Sequence, residues 1–210
     1  MHLFRYDAPE VTPSTRLDRW VPGAPFVDSI VVRSTASSAP LMKALARVTL
    51  AEVPLARVIG TLRYLPAKLG MGKAPGAVDV RQPFLSGLLS GDGSLLLEWC
   101  PDEIILGSVG KLHQIRDQEP VPVKGPAEFL AFRAPGHEKL AMSLRAIPAA
   151  GGALLVLEHR TLPTDAEAAR RFARYWKVIR PGGAFVSREL LRAVARRAER
   201  GSSKMIGDRP

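Results

Sequence analysis

Residues 153–180 read ALLVLEHRTLPTDAEAARRFARYWKVIR, and inside that run the apolar period changes. Up to LPTD the pattern suits a strand, whose side chains alternate between two faces. Beyond it, Ala169, Phe172, Ala173, Trp176 and Ile179 recur at helical spacing, with Arg170, Arg171, Arg174 and Lys177 elsewhere. Thr164 or Asp165 stands where a helix N-cap belongs, since a short oxygen-bearing side chain satisfies the free N–H groups of the first turn. A strand feeding directly into a capped, long amphipathic helix restricts the fold more than any other feature of the chain. The RPGG at 180–183 is expected to interrupt that helix. A second helical stretch follows, with Leu190, Leu191, Val194 and Ala198 along one side.

The preceding sequence supplies the partners for this unit. Residues 1–25 read as an arm: Pro9, Pro13, Pro22 and Pro25 forbid a long helix, and Trp20 is the anchor. FVDSIVVRSTA is β-branched and semi-alternating, a first strand. Serines then precede a helix with Pro40 in its first turn and Leu41, Leu45 and Val48 on one face. Pro54 restarts a second short helix carrying Leu55, Val58, Ile59 and Leu62. GMGKAPGAVDVRQP reads as a loop around Met71 that gates a cavity mouth or merely connects. Six strand-like pieces come next, FLSGLLS, SLLLEWC, EIILGSVGKL, EFLAFRAP, KLAMSLRAI and ALLVLEHRTL, separated by turn-forming residues. They argue for an antiparallel meander in which IPAAGGALLVL is a hairpin. The expected organisation is an arm over 1–25, one domain over 26–200 and a flexible tail over 201–210.

Composition excludes several classes. With one cysteine, Cys100, neither an intramolecular disulfide nor a cysteine-based zinc cluster can form. No window nears the roughly 20 apolar residues of a membrane span, and MHLFRYDAPE lacks a signal peptide's layout, so a cytoplasmic location is expected. The net charge of +10 is concentrated at the C-terminal end: from Asp165 to Pro210 there are 12 Lys and Arg against 5 Asp and Glu. That surplus reads either as a solvated basic helix face or as a surface for an anionic membrane or nucleic acid, with Arg192, Arg196 and Arg197 carrying the contact. No recognised nucleic-acid motif accompanies it, so no specific nucleic acid is expected. Walker spacing, a strand–GxGxxG–helix unit, GxSxG and HExxH are all absent, and no metal or organic cofactor is expected.

The order strand, two short helices, antiparallel strands and long terminal helix carries a family likeness. TLAEVPLARVIGTLRYLPAKL, EIILGSVGKL, APGHEKLAMSLRAI and the 155–199 stretch resemble bacterial members of the START/polyketide-cyclase (SRPBCC) superfamily, over about Phe26 to Glu199. The resemblance implies an α+β helix-grip fold, a curved antiparallel β-sheet wrapped around a long C-terminal helix. It also implies an internal cavity for a hydrophobic or amphipathic small molecule: a lipid, polyketide or aromatic metabolite. Members include carriers, ligand sensors and cofactor-independent cyclases or dehydratases, so the fold leaves the choice open. The superfamily shares no catalytic residues, and none is carried over.

Candidate site residues come from the residues themselves. In LEHRT, alternation places Glu158 and Arg160 on one face and His159 on the other, so the three are not a contiguous catalytic cluster. Arg145, across the PAAGG turn, lies near Glu158 or Arg160, either as a polar pair at the cavity or as a cross-strand ion pair on a solvent face. His159 is the one histidine well inside a strand and the best acid/base candidate; a packed histidine is the alternative. His113 and His137 are read as loop histidines facing water. Tyr175, Trp176 and Trp99 either line a pocket or pack in the core. The ligand-binding set is therefore Trp99, Arg145, Glu158, Tyr175 and Trp176. The catalytic candidates, for a cyclase or dehydratase, are Glu158, His159 and Tyr175.

Overall fold

The structure, a computed structural model, describes residues 12–53, 79–90, 93–114 and 121–207, with side chains as far as residue 201. Five strands form one antiparallel sheet: β1 (Phe26–Ser34), β2 (Leu95–Trp99), β3 (Glu103–Gly110), β4 (Glu138–Ala149) and β5 (Gly152–Pro163). Their spatial order is β1-β5-β4-β3-β2, so the first strand closes against the last. Helices α1 (Thr15–Trp20), α2 (Ser38–Leu45), α3 (Phe84–Leu89) and α4 (Pro126–Ala131) are short, whereas α5 (Ala166–Gly207) spans 42 residues and packs on the sheet. This α+β arrangement is the helix-grip layout that the residue pattern predicts.

Each sheet face has its own core. Ile30, Ile104, Leu106, Leu144, Leu155 and Leu157 meet Leu41, Leu45 and Val48 of the α2 region and Leu190, Leu191 and Val194 of α5. The opposite face carries Ile105, Val109 and Ala141, covered by Leu17, Trp20 and Val21 of the arm and by Phe129 of α4. Gly107 makes this second layer possible: a Cβ there would approach Leu97 at 2.7 Å and Phe129 at 3.0 Å. Trp20, 3% exposed, packs edge-on against Phe129 with ring centres 6.4 Å apart, and does anchor the arm.

Several local expectations fail for identifiable reasons. FLSGLLS is not a strand; residues 84–89 form α3, because Leu85, Leu88 and Leu89 recur at helical spacing, with Leu85 buried. The first half of EFLAFRAP lies in a helix, Pro126–Ala131, with Pro126 at the first position, where its missing N–H costs nothing, and Phe129 as the buried residue. The RPGG break does not occur, and α5 runs through Pro181. Proline removes one backbone hydrogen bond there, but Leu190, Leu191, Val194 and Ala198, all buried, hold the following turns to the core. The predicted second short helix and the loop around Met71 lie outside the described residues.

Asp165 is the N-cap of α5: its Oδ1 accepts the Ala168 N–H at 2.8 Å, which, ahead of the Gly136 N–H, holds its carboxyl below the usual range. The β4–β5 hairpin turns at Ala149–Gly152, where Gly152 adopts φ 151°. A Cβ at Gly152 would sit 2.0 Å from the Ser34 carbonyl oxygen, so the backbone of β1's end occupies the space a side chain needs. Gly152→Ala is therefore expected to cost about 2 kcal/mol or more of folding free energy, read as a lowered urea midpoint. Gly151→Ala meets nothing within 4 Å and carries only the positive-φ cost, so a smaller loss is expected.

Candidate functional site

Alternation along β5 divides its polar residues between two environments. Glu158 and Arg160 point toward the arm, and His159 points toward α5. The arm face holds a dense ionic network. Glu158 accepts Arg160 Nε at 2.8 Å and Arg145 at 3.2 Å, and it also accepts the backbone N–H of Ser14 at 2.9 Å. Arg160 continues to Asp18 and to the Ser14 carbonyl; Arg145 reaches the Thr12 carbonyl at 2.6 Å. Glu103 takes hydrogen bonds from the Ser14 and Ser143 hydroxyls and pairs with Arg16 at 3.3 Å. Burial works against the Arg160 cation, but hydrogen bonds to Glu158 and Asp18 outweigh it and raise its pKa above the ordinary value. Arg145 and Glu158 are thus a cross-strand pair on the face that the arm covers, where Arg145 also lines a pocket of about 340 Å³ with Thr12, Arg16 and Glu103.

The other face has an open cleft of about 250 Å³ between the sheet and α5. Helical spacing builds its α5 wall from Phe172, Tyr175, Trp176, Ile179, Arg180, Gly183 and Ala184, each three or four residues from another on that face. Phe172 stacks on Trp176 with centres 5.7 Å apart, and Phe26 meets Phe172 edge-on at 4.9 Å, which fixes the aromatic wall. Leu140 and Leu112 extend the apolar lining. The sheet contributes Asp28, His159 and Thr161.

Asp28 and His159 are cross-strand partners on β1 and β5, and Arg180 reaches across from α5 to Asp28 at 3.0 Å. Burial pushes the His159 imidazole down to about 4, with the Asp28 charge opposing that shift only in part. The ring is therefore neutral at pH 7, offering one donor and one acceptor nitrogen. No hydrogen bond to it occurs among the described residues. The cleft accordingly joins an aromatic wall to a polar corner of a carboxylate, a guanidinium and a neutral imidazole.

Of the residues singled out from sequence, Tyr175, Trp176 and His159 come together in this cleft. Glu158 and Arg145 lie on the opposite face, and Trp99, 55% exposed at the end of β2, lines neither place. His113 does not face water as a free loop histidine: its Nδ1 lies 2.8 Å from Glu138, which is fully buried and also accepts the Leu112 N–H at 2.7 Å. His137 contacts the Pro135 carbonyl at 2.8 Å and packs on Phe132. Sequence reasoning missed Asp28 and Arg180. The i+4 series 172, 176, 180, 184 carried the signal for Arg180, whereas Asp28 depends on a β1–β5 register that no local pattern supplies. Among the described residues, no group of three or more His, Cys, Asp or Glu is placed to hold a metal ion, and no helix is long and apolar enough to cross a membrane.

Two outcomes follow for stability. Glu158→Ala leaves Arg145 and Arg160 facing each other without their anion and is expected to cost about 3–5 kcal/mol in chemical denaturation. The second concerns pH. Because folding depresses the His159 pKa, protons bind the unfolded state more readily; its contribution is complete above about pH 6.5 and is lost as pH falls toward about 4. The difference in unfolding free energy between wild type and His159→Gln should therefore change by up to about 3 kcal/mol across that window and stay flat above it.

Comparison with protein-family models, with curated proteins and with solved structures gives no match.

Proposed function

We propose that this protein binds one small amphipathic molecule, with an apolar and preferably aromatic body, in the cleft between the sheet and α5. The observation that carries this reading is the neutral His159 imidazole, without a hydrogen-bond partner among the described residues, set beside the Phe172–Trp176 stack. A ligand hydroxyl or carbonyl directed at His159, Asp28 or Arg180 would leave its rings against the aromatic wall. Pockets for drug-sized ligands run to roughly 300–1,000 Å³. At about 250 Å³ the cleft favours a compact molecule of one or two rings over a long-chain lipid. The helix-grip layout and the resemblance to the START/polyketide-cyclase superfamily support the same location.

A cyclase or dehydratase is the second reading, since His159 and Tyr175 share the cleft. General acid–base work is most efficient when the catalytic pKa is near the operating pH, and a histidine near 4 is a weak base at pH 7. Glu158 faces away and is neutralised by two arginines. Both observations favour binding over proton transfer. The basic-surface reading loses weight for a similar reason: Arg192 pairs with Glu189, and Arg197 and Arg200 both reach Glu52.

Native mass spectrometry of the purified protein, with extraction of any retained metabolite, tests the proposal directly. A defined probe completes it. The neutral two-ring fluorophore 1-naphthylamine should bind wild type and lose at least tenfold in affinity to Gly183→Leu. Gly183 lines the cleft and a Cβ there meets nothing within 4 Å, so a leucine at this position narrows the cleft without a clash. Equal binding to both proteins, or to neither, would overturn the assignment.

A further inference from the structure

Among the described residues six charged ones are buried: Asp28, Glu103, Glu138, Lys139, Glu158 and Arg160. Five have an opposite charge or a histidine at hand: Asp28 has Arg180, Glu103 has Arg16, Glu138 has His113, and Glu158 and Arg160 have each other. Lys139 is the exception. It is 3% exposed on β4, and its ammonium contacts the Leu130 carbonyl at 3.3 Å and the face of Phe129, 4.8 Å from the ring centre. No carboxylate pairs with it among the described residues. Burying an ammonium without a counter-charge costs several kcal/mol. Its surroundings add to that cost, since burial first and then the Arg133 charge hold its pKa below the lysine norm.

Lys139 lines a groove of about 400 Å³ on the arm face of the sheet, the side away from α5 and its cleft. Arg19 and Arg133 line it too, and no Asp or Glu does among the described residues. Arg133 is fixed by bonds to the Leu130 and Phe132 carbonyls, and Arg19 stacks over Trp20 at 5.1 Å, so both cations are held in place before any ligand arrives. Trp20, Phe132 and Leu162 supply flat or apolar walls around them. We propose that this groove is a second binding site, for a small organic oxyanion, a carboxylate or phosphate borne on an apolar ring system. The oxyanion supplies a counter-charge that Lys139 does not find among the described residues, and the ring lies along Phe132 and Leu162. Inorganic phosphate alone leaves most of the groove unfilled and is expected to bind more weakly.

The test titrates 1-naphthoate and 1-naphthyl phosphate, with neutral 1-naphthol as control, into Gly183→Leu protein, whose blocked cleft keeps this outcome separate from that of the proposed function. At least one of the two anions should bind by calorimetry and raise the thermal midpoint, more weakly as salt is added, whereas 1-naphthol should not. The better-bound anion identifies the headgroup. Adding Lys139→Met keeps the stem and removes the charge; it should weaken anion binding at least tenfold while leaving the unliganded protein no less stable. Arg133→Gln, at an exposed position, should weaken it severalfold. Undiminished binding in both variants, or no binding of either anion at millimolar concentration, would overturn the site.

Discussion

The structure turns on the carboxylate of Glu158. A charged group in the middle of a central strand, 1% exposed, is tolerable only when its lone pairs are filled. Here Arg160 and Arg145 fill them from the strand itself and its neighbour, and the backbone N–H of Ser14 fills the remainder from the arm. The arm is therefore a structural layer of the domain. Thr12 to Trp20 contributes carbonyls, hydroxyls and Asp18 to the same network, and Leu17 and Trp20 then close the apolar half of that face. With the arm packed over this side, the cleft between sheet and helix lies on the face of Leu157, His159 and Thr161.

That division explains what the sequence made legible. Strict alternation in β5 separates His159 from Glu158 and Arg160 without any knowledge of the fold, and the shift of period at 163–166 marks the strand-to-helix join. The buried residues of α5 from Leu190 to Ala198 were equally plain from their spacing. What alternation cannot give is which face meets solvent, because the cover on the arm side comes from residues more than a hundred positions away. Glu158 and Arg145 read naturally as a surface pair or as cavity groups, and a remote six-residue helix decided otherwise. The two segments mistaken for strands share a different cause. FLSGLLS and EFLAFRAP are short apolar runs in which a period of two and a period of 3.6 fit almost equally well, and packing beneath the sheet edge chose the helix.

The chemistry of the cleft follows from how its polar corner is neutralised. Asp28 is buried and needs a cation; the α5 side chain Arg180 provides it, which leaves His159 with no duty as a counter-ion. Burial then decides its state. If Asp28 had been paired with His159 instead, the imidazolium would be favoured and the residue would be poised for proton transfer near neutral pH. The ion pair that crosses from strand to helix thus removes the condition for acid–base catalysis while preserving a neutral hydrogen-bonding ring. It also ties the middle of α5 to β1 at the cleft.

That tie matters because of where α5 is weakest. Residues 177–183 are exposed, Val178 at 79%, and the missing N–H of Pro181 deprives the helix of one hydrogen bond in the same stretch. Two glycines follow, each less favourable in a helix than alanine by up to about 1 kcal/mol. Further along, Leu190 to Ala198 are locked into the main core, and before it Phe172 and Ala168 are buried. The helix is thus pinned at both ends and least supported over the cleft, where the Arg180–Asp28 pair and the Phe172–Trp176 stack are the specific contacts that hold it down. Local opening free energies scale with how much apolar surface and how many protected hydrogen bonds a segment commits. By that measure this stretch opens at lower cost than the rest of the helix. A ligand seated between Trp176 and His159 would add contact where α5 has least of its own, so occupancy of the cleft and integrity of the helix above it are energetically linked.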